Sequence, residues 1–237
     1  MAVYAGPEFA DRGLIYCADA GNIKSFRTGS SVIRNAVDVL GITGNQGFIA
    51  NGTVYSSQNG GIFSMDGTND TIALPFGLQW CPTGVNGFSN ITMSLWFNYV
   101  TASNIIVMAF NSSIGKYNYS LSSGWFGLGA GSVAGFASSS WGGDILANIW
   151  QNISITISPT IVQIYRNGIF SGSLTHNITT AYTGSFGASY EQYLGLGGWP
   201  YQGDMNGQIG IYHFHNVVLT PSEILQNFNV LRGRFNL

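Results

Sequence analysis

The chain has 237 residues, 45% hydrophobic and only 8% charged, with a formal net charge of -2. That length suits one large all-β domain or two small ones, with core enough to fold without staples, and the apolar share excludes a disordered chain. Eight Lys and Arg with no basic run exclude binding driven by phosphate neutralisation, and no run approaches the roughly 18 apolar residues of a membrane span.

Residues 1–12 read as an N-terminal arm. Gly6 and Pro7 interrupt it and no hydrophobic period emerges, so it orders only by docking onto something or by leading into the first strand. As an arm it is expected to dock on a neighbour, and its removal to leave the fold intact. Its start lacks a basic region followed by an apolar run, so no signal peptide is expected. Residues 13–237 read as a single domain, with no fixed-period repeat and no Pro- or charge-rich linker.

Phe63 to Leu74 reads as strand, polar turn and strand, since Asp66-Gly67 and Asn69-Asp70 tolerate the angles of a tight reversal. Ile91, Met93, Leu95 and Phe97 alternate with Thr92, Ser94, Trp96 and Asn98, the period of a strand. From Ser122 to Gly143 small residues alternate with isolated aromatics, and such strands admit a close backbone or ligand. Ile153, Ile155 and Ile157 repeat the alternation after Trp150; Pro159 breaks it, and residues 161–165 resume it. Asn167-Gly168 is the strongest hairpin signal, because a type I′ turn needs positive φ at both central residues. Ile209, Ile211, His213 and His215 are expected on one face of a late strand, with Tyr212 and Phe214 on the other, both faces covered. A helix closes the chain at about 220–233. Thr220 caps it, Pro221 opens it, Glu223 completes a capping box, and Ile224, Phe228 and Leu231 form its stripe, with Leu225 beside it and Gly233 at the stop.

Five segments, in order, resemble the laminin-G-like, concanavalin-A-like jelly rolls. They are Gly13 to Ser25, the hairpin from Phe63 to Leu74, Ile91-Thr-Met-Ser-Leu-Trp-Phe97, Ile164-Tyr-Arg-Asn-Gly168, and Gly207 to Ile224. The resemblance implies an all-β antiparallel jelly-roll sandwich with one short C-terminal helix, and binding or assembly more often than chemistry. The opening and the ending, Gln226 to Phe235, also resemble versions found in tailed-phage virion proteins.

Glycoside hydrolases of this fold carry Glu-x-Asp-x-Glu on one strand, and retaining enzymes need two carboxylates about 5 Å apart. The glutamates here are Glu8, Glu191 and Glu223, none with an acidic residue two positions away, so no enzyme is expected. His213 and His215 have a spacing that can hold a metal with His176 or an Asp as third ligand, but packing within the sheet is the better reading. Asp66, Asp70, Asp144 and Asp204 are the calcium candidates at the sandwich rim, against the alternative that they only shape turns; no other cofactor is expected. Cys17 and Cys81 read as reduced, partly buried thiols, with a disulfide between them as the alternative, and the Asn-x-Ser/Thr triplets as composition.

Two functions follow. The first is a non-enzymatic virion component, a capsid decoration, head-fibre or tail surface protein. It would assemble in the host cytoplasm through contacts with other virion proteins and further copies of itself. The alternative is a lectin-like module for a host surface glycan, held by flat aromatic faces and a few polar groups. Trp199, Tyr201 and Gln202, beside Asp204, form the best candidate loop, and Trp125 and Trp141 come next. Neither function involves nucleic acid or membrane insertion.

Overall fold

The computed structural model describes residues 8–37, 46–74, 89–100, 108–110, 117–122, 125–130, 136–140, 145–176, 192–194 and 205–237. Within 108–140 and 192–193 the description is of backbone. The strands are β1 (Leu14–Asp19), β2 (Val32–Arg34), β3 (Gln46–Ala50), β4 (Val54–Ser56), β5 (Ile62–Asp66), β6 (Thr71–Leu74), β7 (Ile91–Tyr99) and β8 (Met108–Phe110). They continue with β9 (Tyr117–Ser122), β10 (Trp125–Ala130), β11 (Phe136–Ser140), β12 (Gln151–Ile157), β13 (Ile161–Arg166), β14 (Ile169–Thr175), β15 (Gln192–Leu194) and β16 (Asn206–His215), before helix α1 (Pro221–Leu231).

Two antiparallel sheets form the sandwich. The first runs β14-β13-β12-β7-β16-β5-β4, with β1 also on β16; the second runs β11-β10-β9-β8-β15-β6-β3-β2. β16 organises the first sheet. One edge pairs with β7, while the other pairs first with β5 and then with β1. The core packs Met93, Leu95 and Phe97 of β7, Ile153, Ile155 and Ile157 of β12, and Tyr212 and Phe214 of β16 with Ile72, Leu74 and Leu194 from the second sheet. Among the described residues no helix is long and apolar enough to cross a membrane.

Local signals hold where their partners are near. Asn167 and Gly168 take positive φ and join β13 to β14. Thr220 Oγ1 accepts from the Glu223 amide, and Glu223 Oε2 accepts from the Thr220 amide, which makes the capping box. Three readings change.

Residues 63–74 are not a hairpin, because β5 lies in the first sheet and β6 in the second. Asp70 Oδ2 accepts from the Asp66 amide at 2.8 Å, and the turn carries the chain across the sandwich. Ile209 and Ile211 do not share a face. A bulge at Gly210 turns Ile209 into the core and Ile211 onto the outer surface. A Cβ at Gly210 would sit 2.7 Å from the Phe235 ring, which explains the glycine. The helix does not stop at Gly233. It tightens into a 3-10 turn over Arg232–Phe235, and Asn236 supplies the left-handed residue.

That extension has a structural purpose. The outer face of the first sheet carries a second apolar cluster in which Trp96 lies between Phe228 and Phe235, with ring centroids 5.5 and 4.7 Å away and planes within 2° and 17°. The expectation that both faces of the late strand are covered therefore holds.

Candidate functional site

Trp125 opens β10, where the register sets it opposite Ser122 of β9 and Ser140 of β11. Strand alternation puts Gly127 and Gly129 on the same face, with Ser120 and Asn118 on one side and Ser138 and Phe136 on the other. By the same alternation the opposite face carries Phe126, Leu128, Leu121 and Tyr119. The Trp125 face is therefore small, polar and neutral, with an aromatic residue at each end. Chemically it suits a ligand with many hydroxyls and a flat apolar side.

The other sugar candidates, Trp141, Trp199, Tyr201 and Gln202, lie outside the described residues, as do Asp144, Asp204 and Cys81. Asp66 and Asp70 are brought together. Asp66 Oδ1 accepts from the Thr68 amide at 2.7 Å and Asp70 Oδ2 from the Asp66 amide, so both carboxylates act as turn acceptors. Among the described residues no group of three His, Cys, Asp or Glu is arranged to hold a metal. Cys17 is a buried thiol, and burial pushes it up to about 12, which makes it unreactive.

The histidines separate. His176 bonds the Ser158 carbonyl at 2.9 Å, away from the other two. His213 and His215 lie buried on the outer face with ring centroids 6.4 Å apart, and Phe9 packs on both. Burial, then the neighbouring His215 and Arg234, hold His213 down to about 3. Burial likewise lowers His215, whose Nδ1 meets the Arg12 carbonyl at 3.0 Å. Burial and the Phe9 ring thus favour the neutral form of both imidazoles.

Residues 8–12 are docked on their own chain. The Asn227 carboxamide accepts from the Ala10 amide and donates to its carbonyl, Gln226 donates to the Glu8 carbonyl, and Arg12 forms a two-pronged pair with Glu223 at 2.7 and 2.8 Å. Removing residues 1–12 is thus expected to lower the melting temperature, by about 2–4 °C for each kcal/mol lost, and thermal denaturation checks it.

Arg234 makes a second latch that sequence reasoning missed. It donates to Asp19 Oδ1 at 2.6 Å and to the carbonyls of Asn59 and Gly61. Gly21 is held between them, since a Cβ there would meet the Gly60 carbonyl at 2.2 Å. The opening motif Asp19-Ala-Gly21 is therefore a seat for the C-terminus. No spacing rule connects residues more than 200 positions apart.

Comparison with known proteins agrees with this architecture. No curated protein sequence matches the chain. A laminin-G family model, described as the concanavalin A-like lectin/glucanases superfamily, matches residues 66–225, more than half of the chain. Among solved structures, the chain is similar to domain 4 of AbnA, a GH43 extracellular arabinanase from Geobacillus stearothermophilus, in complex with arabinotriose. The TM-score is 0.66 at 20% identity, covering 90% of this chain and 97% of that domain. It is also similar to the binding domain of botulinum neurotoxin DC, solved in complex with SialylT (TM-score 0.62, 12% identity) and with rat synaptotagmin II (0.61, 11%). There the match covers 92% of this chain and 52% of the neurotoxin chain, so the chain spans about half of that domain's length. At these identities the likeness is one of fold. The family match and the antiparallel sandwich with its closing helix together show that the chain belongs to the concanavalin A-like lectin/glucanases superfamily.

Proposed function

We propose that the chain is a non-catalytic binding module for neutral carbohydrate, and that the face of β9, β10 and β11 around Trp125 is its principal contact. The observation that carries this reading is the register, which puts Trp125 on one strand face with Gly127 and Gly129, flanked by Ser120, Ser122, Ser138 and Ser140 of the neighbouring strands. Hydroxyl and amide groups match sugar hydroxyls, and the glycines let a ring approach the backbone. Fold likeness to a domain solved with arabinotriose supports the class of ligand. Trp199, Tyr201 and Gln202, outside the described residues, extend the same proposal.

Affinity gel electrophoresis against soluble arabinan, xylan, glucan and galactan tests it. The chain is expected to be retarded by at least one of them. Trp125→Ala should weaken that retention about tenfold or more, the loss of one buried aromatic contact. Wild-type retention in that variant sinks the role of this face, and no retention by any polysaccharide counts against the reading.

A second reading, a structural component of a tailed-phage particle, draws on a different observation. Ile169 and Phe170 of β14 are 70% and 52% exposed, and Leu225 of α1, 43% exposed, lies beside Gly168 at the same hairpin. This apolar tip on a chain with 8% charge suits a surface covered by neighbours. Its test is solution mass by light scattering, where a monomer argues against self-assembly. The two readings are compatible, since a particle surface protein can also hold a host glycan.

A further inference from the structure

Helix α1 and Phe235 cover only part of the outer face of the first sheet. Beyond Trp96 on β7 the next outward residue is Asn98, opposite Gln208 of β16, which is opposite Ser64 of β5, which is opposite Val54 of β4. On the other side of β7, Gln151 pairs with Phe97, so Trp150, one residue earlier, comes beside Asn98. Register thus aligns Trp150, just before β12, with Asn98, Gln208, Ser64 and Val54 on four strands. The first four are partly exposed and Val54 is exposed.

Three further observations point to a ligand. Asn98 Oδ1 has no hydrogen-bond partner among the described residues and is closed to solvent, so a hydroxyl meets it as the carboxamide turns outward. Trp150 is braced by Phe235, ring centroids 4.5 Å apart, which fixes its plane in advance of binding. The row carries no charge. Its groups are an indole, two carboxamides and a hydroxyl, each carboxamide offering donors and an acceptor on one short group. Neighbouring hydroxyls on a sugar ring present the same mixture. From Trp150 to Ser64 the row crosses three strand spacings, about 14–15 Å, the reach of a short oligosaccharide rather than one ring.

We infer that this row is a second carbohydrate subsite, with one ring of a neutral oligosaccharide stacked on Trp150 and its hydroxyls held by Asn98, Gln208 and Ser64. It rests on the carbohydrate-binding reading above but uses the opposite sheet. Two faces on one module bind a polymer through linked contacts, so each can be weak while the whole holds.

The test is nitrogen-15 NMR of the full chain titrated with arabinotriose and with xylo-, gluco- and galacto-oligosaccharides of three to six rings. The side-chain amide signals of Asn98 and Gln208 and the indole signal of Trp150 are expected to shift together with at least one of them. Gln208→Ala should weaken that binding about tenfold, as the loss of one or two net hydrogen bonds would. It is the chosen variant because Trp150→Ala also removes packing from Phe235. In Trp125→Ala the Asn98 and Gln208 shifts should persist. Shifts confined to residues 117–140, with Gln208→Ala binding as wild type, overturn the second subsite and leave the principal one standing. No shift with any oligosaccharide overturns the subsite, and the gel assay separately decides the broader reading.

Discussion

Replacing Trp96 with alanine is expected to remove about 3–5 kcal/mol of folding stability, the range for deleting a buried aromatic. Trp96 is 1% exposed and stacked between Phe228 of the helix and Phe235 of the tail. Its loss leaves a cavity under both and loosens the segment that carries Arg234 to Asp19. A domain commonly holds only about 5–15 kcal/mol in total, so this is a large fraction. Trp96→Phe keeps part of the stack and should cost much less. Urea denaturation of the three proteins measures both. A shift below about 1 kcal/mol for the alanine variant would mean that the helix does not pack on the sheet as described.

Acid should destabilise the chain well before its carboxylates are all protonated. His213 is neutral in the folded state down to about pH 3, whereas unfolded it titrates near its ordinary value of about 6.5. Between those values the unfolded chain binds a proton that the folded chain refuses. Stability is therefore full above about pH 6.5 and falls as pH drops towards 3. At pH 4.5 this amounts to about 2–3 kcal/mol from His213, with His215 acting in the same direction. Glu223, held at about 2 chiefly by its hydrogen bond to Arg12, adds a loss as pH falls through the carboxylate range. Urea midpoints at pH 7.5 and 4.5 measure the slope. His213→Phe, which keeps an aromatic ring beside Phe9, should flatten it. Equal midpoints for the wild type would show that the histidines are not buried under residues 8–12.

What the sequence made legible has a common physical character. The alternation of β7 and β12, the Asn167-Gly168 turn and the Thr220 to Glu223 capping box are decided by residues within one turn or a few strand positions. Their partners are sequence neighbours, and the pattern shows them. Ile209 and Ile211 look equivalent by period two, yet a one-residue bulge at Gly210 sends them to opposite faces. Phe63 to Leu74 looks like a hairpin because a crossing turn and a reversing turn use the same Asp, Asn and Gly.

The candidate site divides in the same way. Trp125 stood out as an aromatic among small residues, but only pairing shows that serines flank it on both strands. Asn98, Gln208 and Ser64 come from three strands and Trp150 from the residue before a fourth, spread over 145 positions, and no linear motif joins them. Phe9 and Arg234 were opaque for a related reason, since their partners sit at the other end of the chain.

The most direct test of the central claim, binding of carbohydrate without turnover, is to incubate the full chain with the oligosaccharide it retains best and weigh both by mass spectrometry. The account predicts a protein–oligosaccharide complex whose ligand mass is unchanged after prolonged incubation. Shortened oligosaccharides, absent with heat-denatured chain, would contradict it by revealing a hydrolase. A chain that holds no oligosaccharide at all would contradict the carbohydrate reading itself.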